Sequence, residues 1–450
     1  MSRRQLIACL AALTVLAFGL RVGAIIVLQA WLSPSAMEHR QLAVNLLEYG
    51  GFYFRDFGYF GPSSVQSPPY PVLLAGLFWL FGPETPAAYI AAMVINALLG
   101  AAVVPLTYWL ARTLHGSATV ALLAAAGVAV WPTQIYAATY VQAVVLITAC
   151  VTAILILWER SVRSGRLAPW IGFSLIGTFA ALTEPVLLPP MALAGLLIFA
   201  MRSLPFEIRL RNAAVLFAAA VLVIGPWSLR NRIVHGQWVP IKATFWVNMW
   251  KANNPYATGT DRLPLPEDLQ QQLRRGLPEH QRRQSDYDAA RQYEILTPEQ
   301  IDRLEKQPEA VREAVFKEFT TTWISENPRE YARLCLVRLG KTLWIDPDNP
   351  KTHDWRYIVP RAVLQTLTVI GLVIALRRRW PLMFAGVVVG LALLTYTLTI
   401  TAARFSIPFE PLQLALAALV IAPLVDWVAA RWRASGEAPA PHVEVVIRES

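Results

Sequence analysis

The stretch Ser35–Phe54, SAMEHRQLAVNLLEYGGFYF, places an acid beside a histidine (Glu38, His39) directly after a long apolar run. Helical spacing follows and ends at Gly50-Gly51. A carboxylate in such a place can act as a general base on a hydroxyl, and an arginine can hold a phosphate through charge-assisted hydrogen bonds. Other polar residues stand at the ends of apolar runs: Gln134 and Tyr136 in WPTQIYAATYVQ, Gln142, Glu184 in ALTEP, Arg230 in GPWSLRNR and Arg404 in TAARFSIPFEP. Glu184 stands out, because a carboxylate at the edge of an apolar span is costly unless paired or solvated, and Arg404 is its candidate partner.

Each of these residues also has a plain structural reading. Glu38 can serve only as a complement to the helix dipole, worth under ~1 kcal/mol. His39 reads as a solvated or hydrogen-bonded surface residue rather than a metal ligand. Arg230 and Arg361 end apolar runs and read as side chains snorkelling to the interface. The tryptophans and tyrosines fit an interfacial belt.

The elements that must position these groups follow from composition. The 450 residues are 55% hydrophobic and 16% charged, against about half and a quarter for soluble domains. The surplus is gathered into runs at 5–32, 86–111, 117–136, 139–157, 169–184, 187–201, 213–230, 359–376, 381–400 and 407–429. The expectation is an all-α integral membrane protein, a polytopic bundle of about ten transmembrane helices. Pro68–Gly82 is short and opens with three prolines in four residues, which suits a helix lying in the interface. With that segment not crossing, every short basic loop falls on one side: Arg3 and Arg4, Arg160 to Arg166, Arg202 to Arg211, Arg377 to Arg379, and Arg431 with Arg433. The net charge of +10 is therefore topological and implies no nucleic acid.

This parity puts the loop 33–85 and the region 231–358 outside. Residues 1–230 form an N-terminal transmembrane catalytic module, 359–430 the C-terminal transmembrane helices, and 431–450 a disordered cytoplasmic tail. Thr297-Pro298-Glu299-Gln300 and Asn327-Pro328-Arg329-Glu330 both read as helix caps, so the external region is helical. The start is a retained anchor, too long in its apolar stretch for a cleaved signal. Cys9, Cys150 and Cys335 are isolated and imply neither disulfide nor metal site. No G-x-x-x-x-G-K-[ST], HExxH or G-x-S-x-G occurs, so ATP-driven transport and zinc or serine hydrolysis lose their usual signatures.

The first external loop, EHRQLAVNLLEYGGFYF followed by SPPYPVLLAGLFWLFG, resembles the corresponding region of bacterial GT-C glycosyltransferases. These multi-pass enzymes are related to protein mannosyltransferases and the aminoarabinose transferase (glycosyltransferase family 39-like). PWSLRNRIVHGQWVPI, NMWKANNPYATG and RFSIPFEP extend the resemblance, so it reaches from Glu38 to Pro411. It implies transfer of a sugar from a polyprenyl-phosphate donor to a hydroxyl acceptor (lipid, glycan or protein) at the periplasmic face of a bacterial inner membrane. Glu38 matches the catalytic acid. His39, Tyr70, Gln142, Glu184, Asn253, Asn254 and Arg404 are the expected substrate-binding residues, with Arg404 on the carrier phosphate. No metal-ligand set is assigned, and the one cofactor to consider is a divalent cation, Mg2+ or Mn2+. Relatives often carry an acid where this chain has Gln142, and Arg where it has Glu184 before Pro185. Two rival readings stay open: a transporter or flippase of lipid-linked or small polar substrates, and an inactive scaffold.

Overall fold

The computed structural model describes residues 2–202, 204–260, 296–347, 352 and 354–436. The middle of the expected external region and the tail beyond Gly436 lie outside the described residues. The chain is an all-α, multi-pass membrane protein.

Each of the ten apolar runs carries a helix: α1 (Arg3–Leu28), α4 (Pro86–His115), α5 (Ala118–Val130), α7 (Val144–Ser164), α8 (Leu167–Thr183), α9 (Leu188–Ala200), α10 (Phe206–Val223), α16 (Trp355–Arg377), α17 (Met383–Leu398) and α18 (Glu410–Gly436). Among the described residues five helices are long and apolar enough to cross a membrane singly, or six spans if α10 and the bent continuation α11 (Gly225–His235) count as one. The remaining runs hold helices of 13 to 17 residues, so length alone does not give ten crossings. α18 runs six residues into the segment expected to be a disordered tail.

Proline explains where one run breaks. The apolar stretch 117–136 divides at Trp131 into α5 and the short α6 (Pro132–Ala137), because Pro132 has no N–H for the carbonyl of Val128. A helix end orphaned inside an apolar bundle needs another donor. Arg21, fully buried on α1, supplies it: its guanidinium donates to the carbonyls of Ala17 (2.9 Å), Val128 (3.3 Å) and Ala129 (3.3 Å). Gly100 on α4 leaves room for it, since a Cβ there would come within 2.5 Å of Arg21 Nε.

The helices alternate between two ends. Arg211 reaches the carbonyl of Gly165 at 3.1 Å, and the His115 ring lies 4.9 Å from Trp380, so the turns after α4, α7, α9 and α16 share one, basic, end. The opposite end carries α2 (Met37–Tyr49), the hairpin β1–β2 (Tyr53–Asp56, Tyr59–Pro62) and α3 (Pro69–Phe81). The hairpin turns on Phe57-Gly58, both at positive φ (47° and 71°), which matches the right-handed twist of a two-residue turn. α3 packs on α2 and α4.

Above this end lie α12 (Phe245–Ala252), α13 (Pro298–Leu304), α14 (Glu309–Glu326) and α15 (Pro328–Leu343). Phe57 at the hairpin tip enters their apolar cluster with Trp250, Leu304, Phe316, Phe319, Trp323 and Leu334. Thr297 caps α13 with a full capping box, as its sequence predicts. The second cap is different. Asn327 precedes α15, but its amide donates back to the carbonyl of Trp323 (3.0 Å), closing α14 rather than opening α15.

Candidate active site

Glu38 lies in the first turn of α2, directly after Met37, a non-glycine residue at φ 46°. Strain of this kind persists only where the surroundings hold it, and it clusters at functional sites. The segment entering α2 is held from behind: Gln142 Nε2 donates to both Ser35 O and Ser35 Oγ (3.1 Å each), and the Val141 N–H to Ser35 O (3.2 Å). Gln142, expected at the substrate, thus has its amide engaged in fixing the approach to Glu38.

The Glu38 side chain is half-buried and accepts a long hydrogen bond from Gln66 Nε2 (3.4 Å). Burial alone would raise its pKa; Lys251, its own backbone N–H, His39 and Arg404 outweigh that and hold the carboxyl below its ordinary value. The carboxylate is therefore ionised and faced by cations from α12 and from the 3-10 segment Ala403–Phe409. Lys242, in the loop after α11, adds a third cation, 3.9 Å from Glu184 at the C-cap of α8. Tyr396 on α17 lies within electrostatic reach of both Glu184 and Arg404, and its ring stacks on Phe405 at 4.8 Å. So Glu38, Glu184 and Arg404, from three distant parts of the chain, are linked by electrostatic contacts that run through Tyr396, Lys242, Lys251 and His39.

His39 departs from its surface reading. It is 8% exposed, because its face of α2, with Leu42 and Ala43, is the one that packs inward. Its ring sits 5.2 Å from Tyr70. Burial, reinforced by Lys242 and Arg404 against the pull of Glu38, pushes its pKa down to about 4, so the imidazole is neutral at pH 7. Among the described residues its Nδ1 is buried without a hydrogen-bond partner. Tyr70 stands behind it, its hydroxyl accepting from Asn96 Nδ2 (3.0 Å).

Asn253 and Asn254 lie at the end of α12. Asn253 donates to Met249 O (2.8 Å) and accepts from Arg338 (3.1 Å), while Asn254 donates to Trp250 O (2.9 Å) and accepts from the Tyr256 N–H (2.8 Å). Both fold the turn after Lys251. Neither Arg230 nor Arg361 snorkels. Arg230 donates to Ser63 O (2.8 Å) and Phe52 O (3.2 Å), tying the first loop to α11. Arg361, 4% exposed, donates to Ser406 Oγ, Thr342 O and Trp344 O, bracing the segment that carries Arg404. In both cases free loop carbonyls at the helix end are better acceptors than distant water.

Lys242, Lys251 and Gln66 escape a reading of the sequence. Asp56, at the end of β1, is also near: burial raises its pKa, against the pull of Arg312 (3.3 Å) and Lys251. Lysine and arginine already face the Glu38 carboxylate, and among the described residues no three of His, Cys, Asp and Glu come together.

The same arrangement of helices occurs in solved structures of an oligosaccharyltransferase from Archaeoglobus fulgidus. A form tethered to an acceptor peptide superposes with TM-score 0.54 at 14% identity, over 97% of this chain and 51% of that one. The apo form gives 0.52 at 14% over 97% and 52%. AglB from that organism, in complex with an inhibitory peptide and a dolichol-phosphate, gives 0.50 at 13% over 97% and 52%. The fold is GT-C. Within that fold this chain spans about half the length of the archaeal chains it matches. No protein-family model and no curated protein matches the sequence.

Proposed function

We propose that this GT-C protein is a membrane glycosyltransferase that moves a sugar from a polyprenyl-phosphate donor to a hydroxyl acceptor, at the periplasmic face of a bacterial inner membrane. The observation that carries the reading is the placement of Glu38 within electrostatic reach of Lys251 and Arg404, with Lys242 beside His39 and Glu184. The acceptor oxygen bonds to the anomeric carbon as the bond from that carbon to the carrier phosphate breaks. Glu38 takes or orients the acceptor proton, and Arg404, Lys251 and Lys242 receive the charge that develops on the leaving phosphate. Because the leaving group is a lipid phosphate, no nucleotide-binding motif is needed. A dolichol-phosphate in the AglB structure named above supports a lipid-phosphate donor for this fold.

The cations within reach of Glu38 also favour a reaction independent of divalent metal. A transporter reading predicts substrate-binding polar residues at mid-membrane, whereas here Glu38, Glu184, Lys242, Lys251 and Arg404 gather at one end of the bundle.

The test is direct. Purified protein in lipid nanodiscs, given a radiolabelled polyprenyl-phosphate sugar and an envelope extract, should release the free polyprenyl phosphate and label one acceptor fraction, with or without EDTA. Absence of transfer across a panel of hexose and pentose donors, with intact folding, overturns the enzyme reading; loss with EDTA overturns only the metal-free mechanism.

A further inference from the structure

The basic end of the bundle holds a concave site. Arg160 and Arg163 on α7 and Arg166 before α8 line a cavity of about 400 Å³ with Thr113, Ser164 and Pro169. Its charge is only partly balanced: Arg163 lies 3.9 Å from Glu159, and Arg160 is spread over the Trp109 ring at 5.3 Å. α8 starts at this cavity with no acid in its first turn and no side-chain cap, so its leading N–H groups add to the positive potential. Ser164 Oγ accepts from the Arg166 N–H (3.3 Å), which fixes the turn between the two helices.

What adjoins the cavity identifies its ligand. Leu167, Ile171 and Leu175, four residues apart along α8, are all exposed, and so is Trp109 on α4. They form an apolar track that begins at the cavity rim and runs along the membrane-facing side of the helix. A charged hollow continuous with an apolar track suits an amphiphile, and a free anion would use only half of it. The site is separate from Glu38: α7, 21 residues long, carries it roughly 30 Å from the end where Gln142 holds Ser35.

We propose that this cavity binds the phosphate head group of an anionic phospholipid, one acyl chain of which lies along Leu167, Ile171 and Leu175. Arg160, Arg163 and Arg166 take the phosphate oxygens, and the start of α8 caps them.

Native mass spectrometry of the full chain in detergent, with equal amounts of phosphatidylglycerol and phosphatidylcholine of the same acyl chains, tests this. The expected result is one retained phosphatidylglycerol, preferred at least about fivefold, in keeping with the attraction of basic side chains for anionic head groups. Replacing Arg160, Arg163 and Arg166 by Gln should abolish the preference. Replacing Arg377, Arg378 and Arg379 by Gln removes equal charge elsewhere at the same end and should leave it. Ile171→Gln, at an exposed position, should weaken the adduct without unfolding the chain. Equal loss in both triple variants would mean diffuse charge attraction and overturn the site. Full displacement by millimolar inorganic phosphate, with Ile171→Gln neutral, would mean a free-anion pocket and overturn the lipid.

Discussion

Two carboxylates at the same end of the molecule have opposite surroundings. Glu309, at the start of α14, is 6% exposed and enclosed: the Ser63 hydroxyl and the Ser64 N–H (2.7 Å) donate to it, and His235 stands 3.8 Å away. Ser64 Oγ continues the network to Asn231 Oδ1 and His235 Nε2, both at 2.7 Å, and Asn231 Nδ2 goes on to Val239 O (3.0 Å). Glu38 is half-buried, has a long bond to one amide, and is faced by the flexible side chains of Lys251 and Arg404. In the first region polar atoms complete one another, which fixes the loop 63–64 between α11 and α14. In the second, charges from α2, α12 and the 3-10 segment Ala403–Phe409 converge. A fully satisfied network specifies structure, while charges converging on a carboxylate and shifting its pKa point to a site.

The largest expected effect lies at the second region. Glu38→Gln keeps shape and hydrogen bonding but removes basicity. It should lower transfer by at least about a hundredfold, the lower end of general-base assistance, while the unfolding temperature stays within a degree or so of the parent, judged against a helix-dipole role of under ~1 kcal/mol. Near-parental transfer would reduce Glu38 to a helix-end charge and move the search to Asp56 or Glu184.

A smaller effect is expected at the cations. Lys251→Gln removes one charge from a phosphate that Arg404 and Lys242 still hold. A hydrogen bond to a charged group is worth ~1.5–3 kcal/mol, so donor KM should rise by roughly ten- to a hundredfold, measured against donor concentration at saturating acceptor. A change confined to acceptor KM would place Lys251 on the wrong substrate.

The sequence shows Glu38, Glu184 and Arg404 because a charge at the edge of an apolar run is expensive and stands out there. Lys242 and Lys251 sit in polar segments where lysine is ordinary, and only the packing of α12 and the α11 loop brings Lys251 to Glu38 and Lys242 to His39 and Glu184. The ten apolar runs are legible from hydropathy, yet the break at Pro132 and the donors Arg21 provides for it depend on α1 lying beside α5. The burial of His39 and Arg361 is likewise tertiary: nothing next to them in sequence says which face of the helix turns inward. The hairpin had a local signal, the Phe57-Gly58 turn between aromatic residues, that helical spacing in α2 overshadowed.

The smallest effect belongs to the first region, and pH gives its sign. Burial pushes Glu309 up to about 7, against the hydrogen bonds from Ser63 and Ser64 and the charge of Arg312; Glu313 works in the same direction as burial. Arg230, on α11, faces it as well. With the folded value above the ordinary 4.5, the folded chain holds a proton that the unfolded chain releases between those values. The stabilisation is therefore complete below the unfolded value and drains away as pH rises through the folded one. Glu309→Gln imitates the protonated form and keeps an acceptor for the Ser64 N–H. The parent should melt close to the variant at pH 5 and a few degrees below it at pH 8, read by scanning fluorimetry in detergent. A parent more stable than Glu309→Gln at pH 8 would mean that Arg230 and Arg312 keep the carboxylate ionised. The contrast between an enclosed carboxyl that keeps its proton to near pH 7 and an open, charged one would then collapse into two charged sites.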